Sequence, residues 1–195
     1  MAGIRLIAGL GNPGPRYQDT RHNVGERWVA SLAARHGVPL REERKFKGRV
    51  GRGTLLGHDV WLLLPDTYMN LSGEAVALLV PRHGITSADR IVVVQDEVDL
   101  PVGRLKVKQG GGHAGHNGLR NIDQHLGTRD YVRVRIGVGR PQGRQAGRDH
   151  VLKRPGKDDR AELNIVVEEA ADAVECYLAH GLNETMTRYN RKDDR

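Results

Sequence analysis

The sequence predicts an α/β fold: a single-domain, three-layer α/β/α sandwich with a mixed, mostly parallel central sheet. Strand-like apolar segments and helix-like amphipathic segments alternate through most of the 195 residues, which is the pattern of α/β proteins. Two short neighbouring strands in the centre of the chain indicate that the sheet is mixed rather than purely parallel. The length suffices for one substantial core, and we find no internal repeat and no long linker. We therefore assign residues 1–195 to one domain.

The first elements follow from apolar spacing. Ile4–Leu10 is a continuous apolar run, which is typical of a buried strand. Val24–His36 carries apolar residues at helical spacing and ends at a glycine, which predicts a helix. Gly48–Leu56 and Asp59–Leu64 are predicted strands joined by a tight turn. Ser72–His83 has its apolar residues on one helical face and is predicted to form the second helix.

The elements of the second half follow the same logic. Arg90–Gln95 is a β-branched run and a predicted strand that ends at Asp96. Arg104–Lys108 is short and alternating, and Tyr131–Val138 alternates as a strand does. Between them, Asn117–Leu126 is predicted to be a helix that follows a glycine loop.

The last fifty residues are predicted to contain a loop and two helices. Residues 139–153 are basic and polar, which predicts a mobile loop. Asp158 is predicted to cap a long helix that ends near Ala179. Residues 183–195 are predicted to form a short final helix over Asn183–Arg191 and a tail.

The charge of the chain indicates a polyanionic partner. The formal net charge is +7 and the isoelectric point is about 9.8. An arginine-rich proteome would give the same charge, because arginine predominates among the 31 basic residues. Aromatic residues make up 4% of the chain, so contacts to phosphates are favoured over surfaces that stack on bases.

Other features favour a cytoplasmic protein. Cys176 is the single cysteine, so no internal disulfide is possible. No apolar run approaches the length of a membrane span, and the first residues do not resemble a signal peptide. We expect no membrane association.

The first glycine loop invites a cofactor interpretation that its details disfavour. Gly9, Gly11 and Gly14 match the G-x-G-x-x-G dinucleotide fingerprint after a strand. Pro13 and Pro15 remove two of the N–H groups that would meet a pyrophosphate. No acidic residue lies at the end of a second strand at the expected distance. Dinucleotide binding therefore remains a minor alternative.

Four polar groups of residues lie at predicted element ends. They are Asn12 with His22; Tyr68-Met69-Asn70; the segment 96–101; and the glycine loop 110–118. Each has a structural alternative, such as a helix cap at Asn70. His113 and His116 resemble metal ligands, but no third ligand has a supporting spacing, so we expect neither a metal nor a cofactor.

These residues favour hydrolysis by an activated water. The chain has no G-x-S-x-G serine motif, and Cys176 lies in an apolar helical pattern. A histidine can act as general base near neutral pH, and a carboxylate can orient it. Asparagine side chains and N–H groups of the glycine loop can stabilise the oxyanion.

Five motifs together resemble the bacterial peptidyl-tRNA hydrolases. They occur in the order and spacing of that family, and the similarity extends from Ile4 to about Arg191. The motifs are Gly9-Leu10-Gly11-Asn12-Pro13-Gly14, Thr20-Arg21-His22-Asn23, Tyr68-Met69-Asn70-Leu71-Ser72-Gly73, Asp96-Glu97-Val98-Asp99-Leu100-Pro101 and Gly110-Gly111-Gly112-His113-Ala114-Gly115-His116-Asn117-Gly118-Leu119. The resemblance implies a monomeric, metal-independent α/β/α enzyme that cleaves the ester between a peptide and the 3′ ribose of tRNA.

The resemblance also implies roles for individual residues. His22 corresponds to the general base, Asp96 to the carboxylate that supports it, and Asn12 to the residue that distinguishes N-blocked from free aminoacyl groups. Gln95 departs from the histidine that some relatives have before the Asp-Glu motif. Because neighbouring strand residues point to opposite faces, we expect this change to leave catalysis intact.

Further positions match residues that bind the substrate. Those expected to line the cleft and bind the 3′ end are Tyr17, Tyr68, Asn70 and Asn117. Those expected to contact tRNA phosphates are Lys106, Lys108 and Arg135. A catalytically idle relative that only binds RNA is the alternative, but such a protein would have no physical reason to keep a base and its carboxylate together.

Overall fold

The computed structural model describes residues 3–144 and 146–190. Six helices and seven strands lie in this part of the chain. The strands are β1 (Leu6–Gly9), β2 (Arg41–Glu43), β3 (Gly48–Leu55), β4 (His58–Pro65), β5 (Ile91–Glu97), β6 (Leu105–Gln109) and β7 (Val132–Gly137). The helices are α1 (Val24–Arg35), α2 (Ser72–Arg82), α3 (Asn117–Leu126), α4 (Gly147–Val151), α5 (Lys157–His180) and α6 (Leu182–Tyr189).

The strands form one sheet in the order β2-β3-β4-β1-β5-β7-β6. The central pairs β4–β1, β1–β5 and β5–β7 are parallel, and the outer pairs β2–β3, β3–β4 and β6–β7 are antiparallel. Strands β1, β2, β4, β5 and β7 therefore run in one direction. This arrangement confirms the predicted mixed, mostly parallel sheet.

Each face of the sheet carries its own apolar layer. On one face, Trp28 and Leu32 of α1 and Val166 of α5 pack against buried strand residues. On the other face, Leu79 of α2 and Ile122 of α3 do the same. The sandwich thus has three layers, as predicted.

Two glycines let α1 lie unusually close to the sheet. A Cβ atom at Gly25 would collide with the carbonyl oxygen of Val94, and one at Gly9 would collide with the carbonyl oxygen of Gly25. The start of α1 therefore rests directly on the backbones of β1 and β5. This contact places the residues before α1 beside the carboxyl end of β5.

Several predicted boundaries were wrong. Strand β2 was missed because its residues are charged and largely exposed, so no apolar pattern marks it. Strand β5 continues to Glu97, so Asp96 lies within the strand and not after it. The long helix starts at Lys157 with Gly156 as its N-cap, not at Asp158. Hairpin pairing brings Leu55 opposite His58, so the turn is one residue earlier than predicted.

Residues 139–153 are not a loop throughout, because they contain α4. Its Val151 is buried, and the His150 ring lies 3.2 Å from the Val138 carbonyl oxygen. The final predicted helix is present as α6, which ends at Tyr189. The tail from residue 191 onward lies outside the described residues.

Candidate active site

Three separate segments bring His22, Asp96 and His116 together at the carboxyl end of β5. His22 lies in a 3₁₀ turn just before α1, and His116 is the N-cap residue of α3. The Asp96 carboxylate lies between the two rings, with Oδ2 at 2.8 Å from His22 Nδ1 and Oδ1 at 2.8 Å from His116 Nε2. The predicted pair of His22 and Asp96 therefore has a third member.

Asp96 is a buried charge with two partners. Its side chain is 2% exposed. Burial opposes ionisation of this carboxyl, but the charges and hydrogen bonds of His22 and His116 outweigh burial and hold the pKa of Asp96 well below its usual range. Asp96 is therefore a carboxylate throughout the neutral range and accepts a hydrogen bond from each ring.

The geometry selects one tautomer of His22. Since Asp96 accepts, Nδ1 of His22 must donate, which leaves the Nε2 lone pair free to take a proton in the neutral ring. Burial disfavours the imidazolium, but attraction and hydrogen bonding by Asp96 outweigh burial and raise the pKa of His22 above its ordinary value near 6.5. The ring can thus accept a proton from a group in the cleft.

His116 is bound at both nitrogens. Its Nε2 donates to Asp96, and its Nδ1 accepts from the backbone N–H of Leu119 at 3.3 Å. This second bond caps α3 and leaves the ring no free nitrogen with which to act as a base. From the sequence, His116 was considered only as a possible metal ligand. Its position directly before the predicted helix Asn117–Leu126 was the signal that could have indicated a capping role.

The three side chains also form a group that could hold a metal ion. Their ligand atoms lie within 4.8 Å of one another. His113, which the sequence paired with His116, does not belong to this group, and its Nδ1 instead accepts from the Gly115 N–H at 3.0 Å. Each carboxylate oxygen of Asp96 is hydrogen-bonded to one of the two imidazole rings. This is how a carboxylate orients a histidine base. Metal independence stays a prediction.

Asn12 is fixed by Asn23 and Met69. The Asn23 amide accepts from the Asn12 N–H and donates to the Asn12 carbonyl, each at 2.8 Å. The Asn12 side-chain oxygen accepts from the Met69 N–H at 2.7 Å. The Asn12 Nδ2 group has no hydrogen-bond partner within residues 3–144 and 146–190 and lines the cleft as a donor. Asn23, which is buried, lies in one of the five motifs, but the sequence assigned it no role.

The predicted cleft residues gather around His22. A cavity of about 450 Å³ is lined by all four residues predicted to bind substrate, which are Tyr17, Tyr68, Asn70 and Asn117. The other residues that line it are Asn12, His22, Met69 and, in or directly after α4, Arg148, Val151 and Leu152. The side-chain amides of Asn70 and Asn117 make no hydrogen bond to other described residues, so these two cavity-lining residues are available to bind a substrate. Asn70 is not a capping residue.

The three predicted phosphate contacts share one face of the sheet. Lys106 pairs with Arg135 across β6 and β7, and Lys108 lies two residues further along the same face. Both lysines are exposed, and neither is ion-paired within the described chain. Arg135 differs, because its guanidinium lies 3.0 Å from the buried carboxylate of Glu97. Lys106 and Lys108 are therefore more available than Arg135 to bind a phosphate.

A larger cavity elsewhere lacks comparable chemistry. It measures about 500 Å³ and lies beside Trp61, whose ring stacks on His83 at 3.6 Å. Arg52, one of its cations, already forms two hydrogen bonds with Asp59. No carboxylate orients a free base there, so the cleft at His22 is the better candidate site.

Fold and site together define a class: a three-layer α/β enzyme whose carboxylate-oriented histidine faces an open cleft at the ends of parallel strands. Residues 6–195 match the model of the peptidyl-tRNA hydrolase family, so the chain belongs to this family and is a hydrolase.

Known proteins of this kind are similar over nearly their whole length. A peptidyl-tRNA hydrolase of Haemophilus influenzae is 46% identical over 191 residues, which cover 97% of this chain and 98% of the relative. One of Rhodococcus erythropolis is 48% identical over 183 residues, which cover 94% and 96%. The crystal structure of the Acinetobacter baumannii enzyme superimposes with a TM-score of 0.92 at 39% identity, covering 97% of this chain and 96% of that one.

No helix in residues 3–144 and 146–190 has the length and apolar character needed to span a membrane.

Proposed function

We propose that this protein hydrolyses the ester between a peptide, or an N-blocked aminoacyl group, and the 3′ ribose of tRNA. The relatives carry the name of this reaction. The observation that carries the mechanism is the 2.8 Å hydrogen bond from His22 Nδ1 to Asp96, because it leaves Nε2 as a base in the cleft. Water is the nucleophile.

The reaction proceeds in two proton transfers. His22 Nε2 takes a proton from water while the hydroxide oxygen bonds to the ester carbonyl carbon. Asp96 stabilises the imidazolium that forms, and amide N–H groups of Asn70 and Asn117 donate to the oxyanion. The bond between the carbonyl carbon and the ribose O3′ then breaks. The imidazolium returns its proton to O3′, which releases the peptide acid and tRNA.

Asn12 provides selectivity for N-blocked substrates. Its side-chain oxygen is engaged by Met69, so the Nδ2 group remains to donate to the carbonyl of the first peptide bond. A free aminoacyl group has no such carbonyl, and it carries a positive charge that this donor repels. The two substrates therefore differ in transition-state binding.

The tRNA is bound through its phosphates by exposed cations, foremost Lys106 and Lys108, with Arg135 beside them. We propose that the enzyme acts as a monomer in the cytoplasm, where ribosomes release peptidyl-tRNA, and needs neither metal nor cofactor.

The second candidate function, RNA binding without catalysis, would use the same cations. It leaves the oriented His22 and the free Asn12 donor without a purpose.

The decisive experiment measures release of tRNA from N-acetyl-aminoacyl-tRNA and from aminoacyl-tRNA. We expect the wild type to cleave the first and spare the second. His22→Ala should lower kcat by about 10²- to 10⁴-fold while binding of uncharged tRNA is retained. His125→Ala, which removes an exposed histidine of α3, is the matched control. Binding of tRNA without cleavage by the wild type would instead support the idle RNA-binding relative.

A further inference from the structure

Arg148 of α4 lies where two cavities of the cleft meet. Besides the 450 Å³ cavity at Asn12, a second cavity of about 210 Å³ lies at the glycine loop, with Glu97 and His113 in its wall. The described residues that line both cavities are His22, Asn117, Arg148 and Val151. Of these four residues, Arg148 is the one that is positively charged at every pH of interest. A substrate whose reacting bond lies at His22 would therefore have this charge beside it.

The guanidinium of Arg148 is free. It forms no hydrogen bond or ion pair with the described residues, and its side chain is exposed. Two arginines beside the glycine loop are, by contrast, engaged by the protein itself: Arg133 donates to the carbonyls of Gly111 and Gly112, and Arg135 pairs with Glu97. A free arginine beside a negatively charged substrate is a ready ligand for one of its phosphates.

Although its side chain is exposed, the backbone that carries Arg148 is anchored next to the base. The Arg21 N–H donates to the Lys153 carbonyl at 3.1 Å, and the Arg21 guanidinium lies 3.3 Å from the His150 and Lys153 carbonyls. Arg21 is the residue directly before His22. Its hydrogen bonds therefore fix the C-terminal end of α4 next to the base. Arg148 is thereby kept within reach of the reacting ester.

Arg148 could bind either of two negatively charged groups of the proposed substrate: the oxyanion that develops at the ester, or the phosphate nearest to the ester. Oxyanion stabilisation requires donors that are fixed and shielded from water, and the Arg148 side chain is neither. A planar guanidinium on a flexible stem suits bidentate binding of a phosphodiester. The phosphodiester before the terminal nucleotide is the one nearest the ester.

We propose that Arg148 binds the phosphodiester that joins the terminal nucleotide of tRNA to its neighbour, and so helps to place the ester at His22. This inference rests on the proposed function. Arg148 is then a substrate-binding residue of the cleft, distinct in position from Lys106 and Lys108 on the sheet face.

The test compares substrates with and without that phosphate. With N-acetyl-aminoacyl-tRNA, Arg148→Ala should raise KM about tenfold and leave kcat unchanged, since one charge-assisted contact is lost. With N-acetyl-aminoacyl-adenosine, which has no phosphate, the same variant should match the wild type. Arg154→Ala removes an exposed arginine that lines neither cavity and is the control. It should change neither constant by more than about twofold.

Other outcomes would overturn the inference. An equal fall in kcat for both substrates would assign Arg148 to the oxyanion, and unchanged kinetics with tRNA would remove it from binding. Affinity for uncharged tRNA supplies a second measurement that needs no catalysis. It should fall about tenfold in Arg148→Ala and stay constant in Arg154→Ala. If the wild type cleaved neither ester, the proposed function would fail while this binding result would still decide the role of Arg148.

Discussion

His22 and Asp96 are 74 residues apart in the sequence, yet the Nδ1 atom of the first lies 2.8 Å from the Oδ2 atom of the second. The second Asp96 oxygen is taken by His116 at the same distance. Both carboxylate oxygens thus serve as acceptors for imidazole N–H groups. This arrangement makes the protonation of His22, and hence the proposed activity, depend on the charge of Asp96.

The first prediction concerns pH. Because the pKa of His22 is raised and catalysis needs its neutral form, kcat should fall as the pH drops through a value above 6.5. In Asp96→Asn the attraction for the imidazolium is lost, so the acidic limb should move to lower pH. The plateau should also fall by about 10²- to 10⁴-fold. A pH profile of single-turnover rates measures both effects.

The fall of the plateau has a geometric cause. An asparagine offers one oxygen and one NH₂ group, so it cannot accept from both His22 and His116. If its NH₂ group faces His22, the Nδ1 atom must accept and the proton moves to Nε2, where it blocks the base. An unshifted acidic limb in Asp96→Asn would show that His22 is not the group that titrates.

The second prediction concerns substrate choice at Asn12. Asn12→Asp keeps an oxygen for the Met69 N–H but loses the Nδ2 donor. We expect kcat/KM for N-acetyl-aminoacyl-tRNA to fall by about tenfold or more, with no comparable loss for aminoacyl-tRNA. Parallel assays on the two substrates measure this ratio. Equal losses on both would assign Asn12 to the chemistry rather than to discrimination.

The third prediction separates the cations on the sheet face. Lys106→Ala and Lys108→Ala should each raise KM and flatten its dependence on salt, with kcat and thermal stability unchanged. Arg135→Ala should in addition lower the free energy of unfolding by about 1–3 kcal/mol, because it leaves the buried Glu97 without its ion partner. Steady-state kinetics at several salt concentrations and urea unfolding distinguish the two kinds of effect.

The arginine effect has its own control. Combining Arg135→Ala with Glu97→Gln removes the unpaired charge and should recover most of the lost stability while KM stays high. If the double variant were no more stable than Arg135→Ala, the ion pair would not be the source of the loss.

The fourth prediction concerns the contact that positions the base. Gly25→Ala would place a Cβ against the Val94 carbonyl, which cannot move without disturbing β5. We expect the free energy of unfolding to fall by about 1–3 kcal/mol and kcat to fall as His22 shifts away from Asp96. The matched control for stability is Gly147→Ala at the first residue of α4, which has open space around the added atom and should not lower the free energy of unfolding. Unchanged activity in Gly25→Ala would show that α1 can move away from the sheet without displacing His22.

The sequence by itself determined the fold class, most of the elements and the composition of the site. Apolar spacing is a local signal, so it marked β1, α1 and the other buried segments. It could not mark β2, whose three residues are charged and become a strand because β3 offers them a partner. The five motifs marked the residues to which we assign the proposed chemistry.

Tertiary structure decided which of those residues meet. The role of His116 depends on α3 starting beside the end of β5, and that of Asn23 depends on a loop that folds back on Asn12. These hydrogen bonds join residues that are 20 and 11 positions apart in the sequence, and no helical or strand spacing encodes them. The close approach of Gly25 to Val94 is of the same kind. A side chain's neighbours along the chain fix its secondary structure, but its pKa and its hydrogen-bond partners come from segments that folding brings together.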